Sequence, residues 1–142
     1  MPQVTRLQEL VYELKISDVM ATDVIAVTPQ TSMAEFRAIL RDHRISGAPV
    51  LEQGNLVGII SLEDLIKALA AGEMDALVGD KMTPNPVTLN ANDSVVLGVG
   101  SFARYGFGLF PVVDKNRQLV GVLTQGNITQ GLLKKLEIEY HE

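Results

Sequence analysis

Gly98-Val99-Gly100-Ser101-Phe102-Ala103 has the spacing G-x-G-x-x-A. In a loop between a strand and a helix, that spacing brings backbone N–H groups against a pyrophosphate. Val95-Val96-Leu97 stands in front of it, where such a strand would end. Two other places pair groups at a useful distance. Ser61 with Asp64, and Thr124 with Asn127, set a hydroxyl three residues before an acid or an amide. This spacing closes the first turn of a helix as a capping box. It also offers hydrogen-bond acceptors to a ligand. On residue types alone the cap is favoured.

Other chemistry finds few residues. There is no cysteine, so disulfide and thiolate chemistry are excluded and a cytoplasmic location is expected. The two histidines, His43 and His141, lie far apart in the chain, and no metal site is expected from them. No nucleophile has a histidine base beside it in sequence. No catalytic residue is therefore assigned, and the chain is not expected to be an enzyme. Twelve basic against seventeen acidic residues give a formal charge of −5. A nucleic-acid groove needs clustered Lys and Arg, so that partner class is not expected, although one bound anion is compatible with this charge. No apolar run approaches the roughly 20 residues that span a bilayer, and no membrane contact is expected. Met1 to Leu10 carries Arg6 and Glu9 and lacks the apolar block of a secretory signal.

The elements that must position these residues come twice. Asp18 stands 62 positions before Asp80, and Met20 before Met82, Ser32 before Ser94, Pro49 before Pro111 and Val50 before Val112 keep that offset. Leu56-Val57-Gly58 then matches Leu119-Val120-Gly121, and Ser61 matches Thr124, at an offset of 63. One extra residue must fall between Glu52-Gln53-Gly54-Asn55 and its counterpart Asp114-Lys115-Asn116-Arg117-Gln118. Both are polar turns, where an insertion costs least.

Each copy reads as strand, helix, strand, strand, helix. In the first, Val24-Ile25-Ala26-Val27 is a short apolar strand ended by Pro29 and Thr31. Ser32 with Glu35 forms a capping box ahead of a helix whose apolar face carries Met33, Phe36, Ile39 and Leu40. Strands follow at Ala48–Leu51 and Leu56–Ile60, then a helix with Leu62, Leu65, Ile66 and Leu69 on one face. The second copy repeats this through Pro86–Leu89, a helix from about Asp93, Phe110–Val113, Leu119–Leu123 and a helix from Thr124 onward. Residues 1–15, with Leu7, Leu10, Val11 and Leu14, make an additional amphipathic helix, and the copies occupy 16–72 and 73–139, the latter beginning with a linker helix. The fold class expected is α+β: two β-α-β-β-α units sharing a buried face, since each alone is near the lower size limit for stability.

The repeat also disposes of the glycine fingerprint. At offset 62 it lies over Phe36 to Leu40, the middle of a helix, and no acid stands about 20 residues beyond it as a dinucleotide site needs. Gly98 and Gly100 are instead expected to let another helix approach.

Gly58-Ile59-Ile60-Ser61-Leu62-Glu63-Asp64 and Gly121-Val122-Leu123-Thr124-Gln125-Gly126-Asn127 resemble the end of the CBS motif, named after cystathionine β-synthase. Ser46-Gly47-Ala48-Pro49-Val50 is similar to the family's small-Gly-x-Pro-apolar strand. Asp18-Val19-Met20 and Asp80-Lys81-Met82-Thr83 resemble its leading segment, so the likeness runs from Ile16 to Leu133. The resemblance implies two motifs packed through their sheets as a pseudo-two-fold pair, with clefts between them for adenosine-type ligands. It implies that Asp64 and Ser61, with Thr124 and Asn127 in the second copy, meet a ribose. It likewise implies an adenine pocket from Val24, Ile45, Gly47, Ala48 and Pro49. His43, Arg44, Arg104 and Lys81 are the phosphate candidates it suggests, and each is equally readable as a solvated cation near a helix end.

The second copy departs from the family pattern. Asn127 replaces the Asp, and Leu109-Phe110-Pro111 puts Phe where the first copy has Ala48. An unequal pair is expected, with the Asp64 site the better one. No cofactor is required. An adenine nucleotide or S-adenosylmethionine-like compound is expected as regulatory ligand, read out through a changed pair or homodimer. Leu132, Leu133 and Leu136 continue a helix through Glu142 without a stop signal, which reads equally as the lead into a fused effector domain and as a terminal helix that frays. The alternative reading is a ligand-free dimerisation adaptor.

Overall fold

The computed structural model describes the backbone of residues 2–141 and the side chains of residues 5–137. The first half runs through α1 (Pro2–Glu13), α2 (Ile16–Val19), α3 (Met33–His43), β1 (Gly47–Glu52), β2 (Asn55–Ser61) and α4 (Leu62–Ala71). The second runs through α5 (Val78–Lys81), β3 (Thr83–Pro84), β4 (Leu89–Asn90), α6 (Val95–Tyr105), β5 (Phe110–Val113), β6 (Leu119–Leu123) and α7 (Gln125–His141). Glu142, where the helix was expected to end, lies outside the described residues. The architecture is α+β, with two three-stranded sheets ordered β1-β2-β3 and β4-β5-β6. Two compact units divide the chain, Val24–Val87 on one side and Met1–Asp23 with Thr88–Glu142 on the other.

In the unit 24–87, the Ser32–Glu35 capping box forms as expected, Glu35 N–H donating to Ser32 Oγ at 3.1 Å and Ser32 N–H to Glu35 Oε1 at 3.2 Å. It sets α3 so that Met33, Phe36 and Leu40 are buried on the sheet with Val50 and Ile60. The expected first strand is reduced to one residue, Val27, bridged in parallel to Val50. Val27 N–H donates to Pro49 O and Val27 O accepts from Leu51 N–H, the two slanted bonds of a parallel ladder. A turn then begins at once, with Thr31 N–H on Thr28 O and Thr28 N–H on Thr31 Oγ1. That turn stops the pairing. Helix α4 meets expectation at Leu65 alone: it is buried together with Ala68, while Leu62, Ile66 and Leu69 are exposed. A helix apolar on two sides carries more than one candidate stripe, and the sequence does not distinguish them.

The other unit repeats this plan with a larger aromatic core. Phe102 and Phe110 are buried edge to face with centroids 4.9 Å apart, where the first copy has Leu40 and Ala48. Phe110 is therefore taken up by the core. Helix α1 packs here through the fully buried Leu10, against α6 and α7. Ser94 joins two helix ends, since its Oγ accepts from Val96 N–H and donates toward Val11 O and Tyr12 O.

The two hairpins account for the slip in the repeat. β1 and β2 close on the two-residue turn Gln53-Gly54, both with positive φ, as a tight hairpin of matching twist requires. The other hairpin carries the extra residue. Asp114 N–H donates to Gln118 O, Asp114 Oδ1 accepts from Asn116 and Gln118 N–H, and Arg117 takes the left-handed conformation.

Each sheet is completed by the leading segment of the other copy. β3, just after Met82, pairs antiparallel with β2, at Gly58↔Pro84 and Ile59↔Thr83. Ala21, just after Met20, pairs with Val122 of β6 through reciprocal bonds of 2.9 and 3.0 Å. The copies read along the chain, 16–72 and 73–139, therefore differ from the compact units by a reciprocal exchange. Glycine makes room for it. A Cβ on Gly58 would collide with Met82 Sδ, and one on Gly121 would lie 2.7 Å from Met20 Sδ and 2.8 Å from Ala21 O. The expected helix approach at the glycine patch is only partly seen. Gly98 is met by Leu123 of β6 and then Ile128 of α7, and Gly100 faces open space.

These environments predict opposite effects for one substitution. Gly121→Ala meets a backbone oxygen that side-chain rotation cannot move, and should cost about 1–3 kcal/mol in urea unfolding. Gly100→Ala adds a methyl to an open helix position and should stabilise by up to about 1 kcal/mol in the same assay.

Candidate functional site

The fold gathers the first copy's candidate residues at one end of the β1–β2 hairpin. Gly47 at the start of β1 pairs with Ser61 at the end of β2. Leu62 N–H donates to Ser46 O, which holds the first turn of α4 beside the chain that enters β1. The capping box is formed. Ser61 N–H donates to Asp64 Oδ2 at 2.9 Å, Ser61 Oγ–H donates to the same oxygen at 3.0 Å, and Asp64 N–H donates to Ser61 Oγ at 3.3 Å. Both bonds that Asp64 accepts fall on Oδ2. Among the described residues, Oδ1 has no partner, and the half-buried carboxylate keeps a free acceptor at the hairpin end.

At the same hairpin end, the side of β1 that faces Val27 is paired only in part, and Gly47 there is buried. Successive residues of a strand direct their N–H and C=O groups to alternate sides. Pro49 O and Leu51 N–H bond Val27, so Gly47 also faces that side, next to the unpaired stretch Val24–Ala26. The close approach of Ile60 O, 3.0 Å from where a Cβ would stand, favours glycine there. Val24 and Ile45 are half-buried near these residues in the chain, and Ile45 packs partly on the core. Ala48 is fully buried within the core, so its side chain is not free to line a pocket, and its backbone groups face β2, where it pairs with Ile60. Pro49 is fully buried too.

The cations are placed less uniformly. Arg44 is the C-cap of α3, in the left-handed region at φ 54° and ψ 46°, and it is exposed, as is His43 before it. Lys81 is paired with Glu73. Arg104 is exposed and lies over the Tyr105 ring, 5.2 Å from its centroid.

In the other unit the equivalent corner is built differently. Thr124 N–H donates to Asn127 Oδ1 at 2.9 Å and Asn127 N–H to Thr124 Oγ1 at 3.1 Å, so the cap survives. The amide oxygen is occupied, and what remains is the Nδ2 donor. Pairing of β5 with β6 begins at Phe110↔Leu123, leaving Leu109 outside the ladder where the first copy pairs Gly47 with Ser61.

Sequence reasoning did not find a concavity in the other unit. A hollow of about 360 Å³ lies between α6 and α7, lined by Val99, Phe102, Ala103, Gln125, Ile128 and Thr129. The small residues around Gly98 and Gly100 were the available signal. Among the described residues, no group of three His, Cys, Asp or Glu side chains is placed to hold a metal ion, and no helix is long and apolar enough to cross a membrane.

The CBS domain description matches this chain twice, over residues 16–71 and 78–134. An inosine-5′-monophosphate dehydrogenase of Korarchaeum cryptofilum is 35% identical over 106 residues, covering 75% of this chain and 22% of that protein. The CBS domain-containing protein YhcV of Bacillus subtilis is 29% identical over 115 residues, covering 80% of this chain and 81% of that one. Among solved structures, CBSX2 of Arabidopsis thaliana in complex with AMP matches with a TM-score of 0.76 at 27% identity, over 86% of this chain and 98% of that one. The CBS domain pair of MJ0100, in complex with 5′-methylthioadenosine and S-adenosyl-L-methionine, matches with a TM-score of 0.78 at 29% identity and the same coverage. The chain spans 22%, 43% and 24% of the length of three curated relatives, two of them enzymes by name. Two domain matches that take up most of the sequence, on a fold of two like units, make this chain a member of the CBS-domain family, a tandem CBS pair.

Proposed function

We propose that this CBS pair is a regulatory, non-catalytic module that binds an adenosine-type ligand at the hairpin end marked by Gly47, Ser61 and Asp64. The observation that carries the reading is the free Oδ1 of Asp64, whose capping partner Ser61 pairs with Gly47 at the start of β1. A ribose presents two neighbouring hydroxyl donors. One meets Oδ1, and the other displaces the Ser61 hydroxyl from Oδ2, leaving Ser61 Oγ–H to turn toward the ligand. The base lies against Val24 and Ile45 with its polar edge toward the Gly47 backbone. Relatives crystallised with AMP, 5′-methylthioadenosine and S-adenosyl-L-methionine support this ligand class. Binding acts through differential affinity for two arrangements of the module, its partner copy or an effector domain, in the cytoplasm.

A second reading has its own observation. Leu62, Ile66 and Leu69 form an exposed apolar ridge on α4, 44%, 55% and 45% accessible. Such a ridge favours association with another copy, and association without a ligand would be an adaptor function. Excess absorbance at 260 nm in the purified protein decides against the ligand-free adaptor, and the reading is clean because the chain has no Trp and three Tyr.

The ligand reading is tested by unfolding in the presence of adenosine, AMP, ADP, ATP, 5′-methylthioadenosine and S-adenosylmethionine. A ligand at one hundred times its Kd should add about 2.7 kcal/mol to stability. No shift with any of them at millimolar concentration contradicts the proposal. Asp64→Asn separates the two roles of this residue, because Asn127 shows that an amide supports the same cap. The variant should stay within about 0.5 kcal/mol of the parent in stability. It should lose roughly tenfold to a hundredfold in affinity, the usual worth of a hydrogen bond to a charged group. Asn127→Ala should leave that affinity unchanged, and equal losses at the two positions contradict the unequal pair.

A further inference from the structure

We infer that Arg44 makes the Asp64 site selective for 5′-phosphorylated adenosine, so that the ligand is an anionic nucleotide and not an uncharged or cationic thioether nucleoside. The inference rests on the ribose reading of Asp64. Arg44 occupies the left-handed C-cap of α3 at φ 54°. L side chains rarely adopt that conformation, and glycine is its usual occupant. The repeat supplies an internal control. The equivalent C-cap of α6 is Gly106, at φ 69°. One copy thus uses the unstrained residue and the other keeps an arginine.

Strain alone assigns nothing, because Arg117 likewise stands where the first hairpin has Gly54. Position separates the two arginines. Arg117 sits at a hairpin tip, the end of the strands opposite the caps. Arg44 precedes Gly47 by three residues, at most about 10 Å of extended chain, on the scale of a nucleotide's own length. Gly47 pairs with Ser61, and Ser61 bonds Asp64.

A helix-end charge effect does not account for Arg44. The last turn of α3 already carries Arg41 and His43, and α6 places Arg104 in its last turn with glycine left at the cap. Ion pairing does not account for it either. Lys81 is held by Glu73 and Arg41 by Asp42, whereas Arg44 makes no salt bridge among the described residues. An exposed guanidinium three residues before Gly47, in the copy whose Asp64 keeps a free carboxylate oxygen, fits a ligand with hydroxyls at one end and a phosphate at the other. Its planar fork binds phosphate in a bidentate manner.

The test is calorimetric titration of the full chain and of Arg44→Gly with adenosine, AMP and 5′-methylthioadenosine. Arg44→Gly introduces the residue that the other copy already carries, so it should fold and melt at a higher temperature. The expected result is a roughly tenfold to hundredfold loss for AMP with adenosine affinity unchanged. The AMP affinity of the parent should also fall with added salt while that of adenosine does not. Arg44→Lys should restore part of the AMP preference through its charge. Equal affinity of the parent for adenosine and AMP, or equal losses for both in Arg44→Gly, overturns the phosphate role and leaves the ribose reading standing. Failure of the parent to bind any of the three overturns both.

Discussion

The close approach of backbone at Gly58 and Gly121 is the contact on which the rest of this fold depends. Gly58 lies on β2 and Gly121 on β6, and each is covered by the methionine of a segment that comes from the other copy. A side chain on either strand would hold that segment off, and the sheet would lose β3 on one side or the Ala21 bridge on the other. With those rows in place, β2 and β6 have partners on both sides. Their last residues, Ser61 and Leu123, then deliver the chain into α4 and α7 with both caps formed. The functional corner is thus a product of sheet completion several residues away.

Because the two copies solve the same packing problem with different residues, each serves as a control for the other. Leu40 with Ala48 and Phe102 with Phe110 stand at equivalent buried positions, and both are larger in the second copy, whose core is correspondingly more aromatic. The caps diverge in a more consequential way. Asp64 and Asn127 both satisfy the helix start, so helix stability alone does not demand a carboxylate. What the carboxylate adds is an acceptor beyond what the cap uses.

Much of this was legible in the sequence because the repeat is long and its departures fall in turns. Strands β5 and β6, the Ser32 capping box and the hairpin with the extra residue all stand where the apolar runs and polar turns put them. The features that were not legible depend on partners distant in sequence. Val24–Val27 has strand composition, yet its pairing stops at one residue because a turn starts at Thr28. Leu62, Ile66 and Leu69 have helical spacing, yet Leu65 and Ala68 won the core. The exchange of leading segments leaves no local trace, since Met20 and Met82 look alike whichever sheet they cover. At the candidate site the residue types pointed to Ser61 and Asp64. Only coordinates could show that one oxygen of Asp64 is spent on the cap and the other is free.

The exchange of leading segments also bears on how such a chain could arise. A single copy of about sixty residues could not fold its leading segment onto its own sheet in this pattern, and would leave an unpaired edge beside β2. Two such copies would each lend that segment to the other and so form a domain-swapped dimer. Joining them end to end gives the order of elements seen here. Once joined, the halves are free to drift apart in sequence while the swap keeps them mutually dependent. A carboxylate at Asp64 and an amide at Asn127 are the kind of difference that a fused dimer permits and a symmetric one forbids.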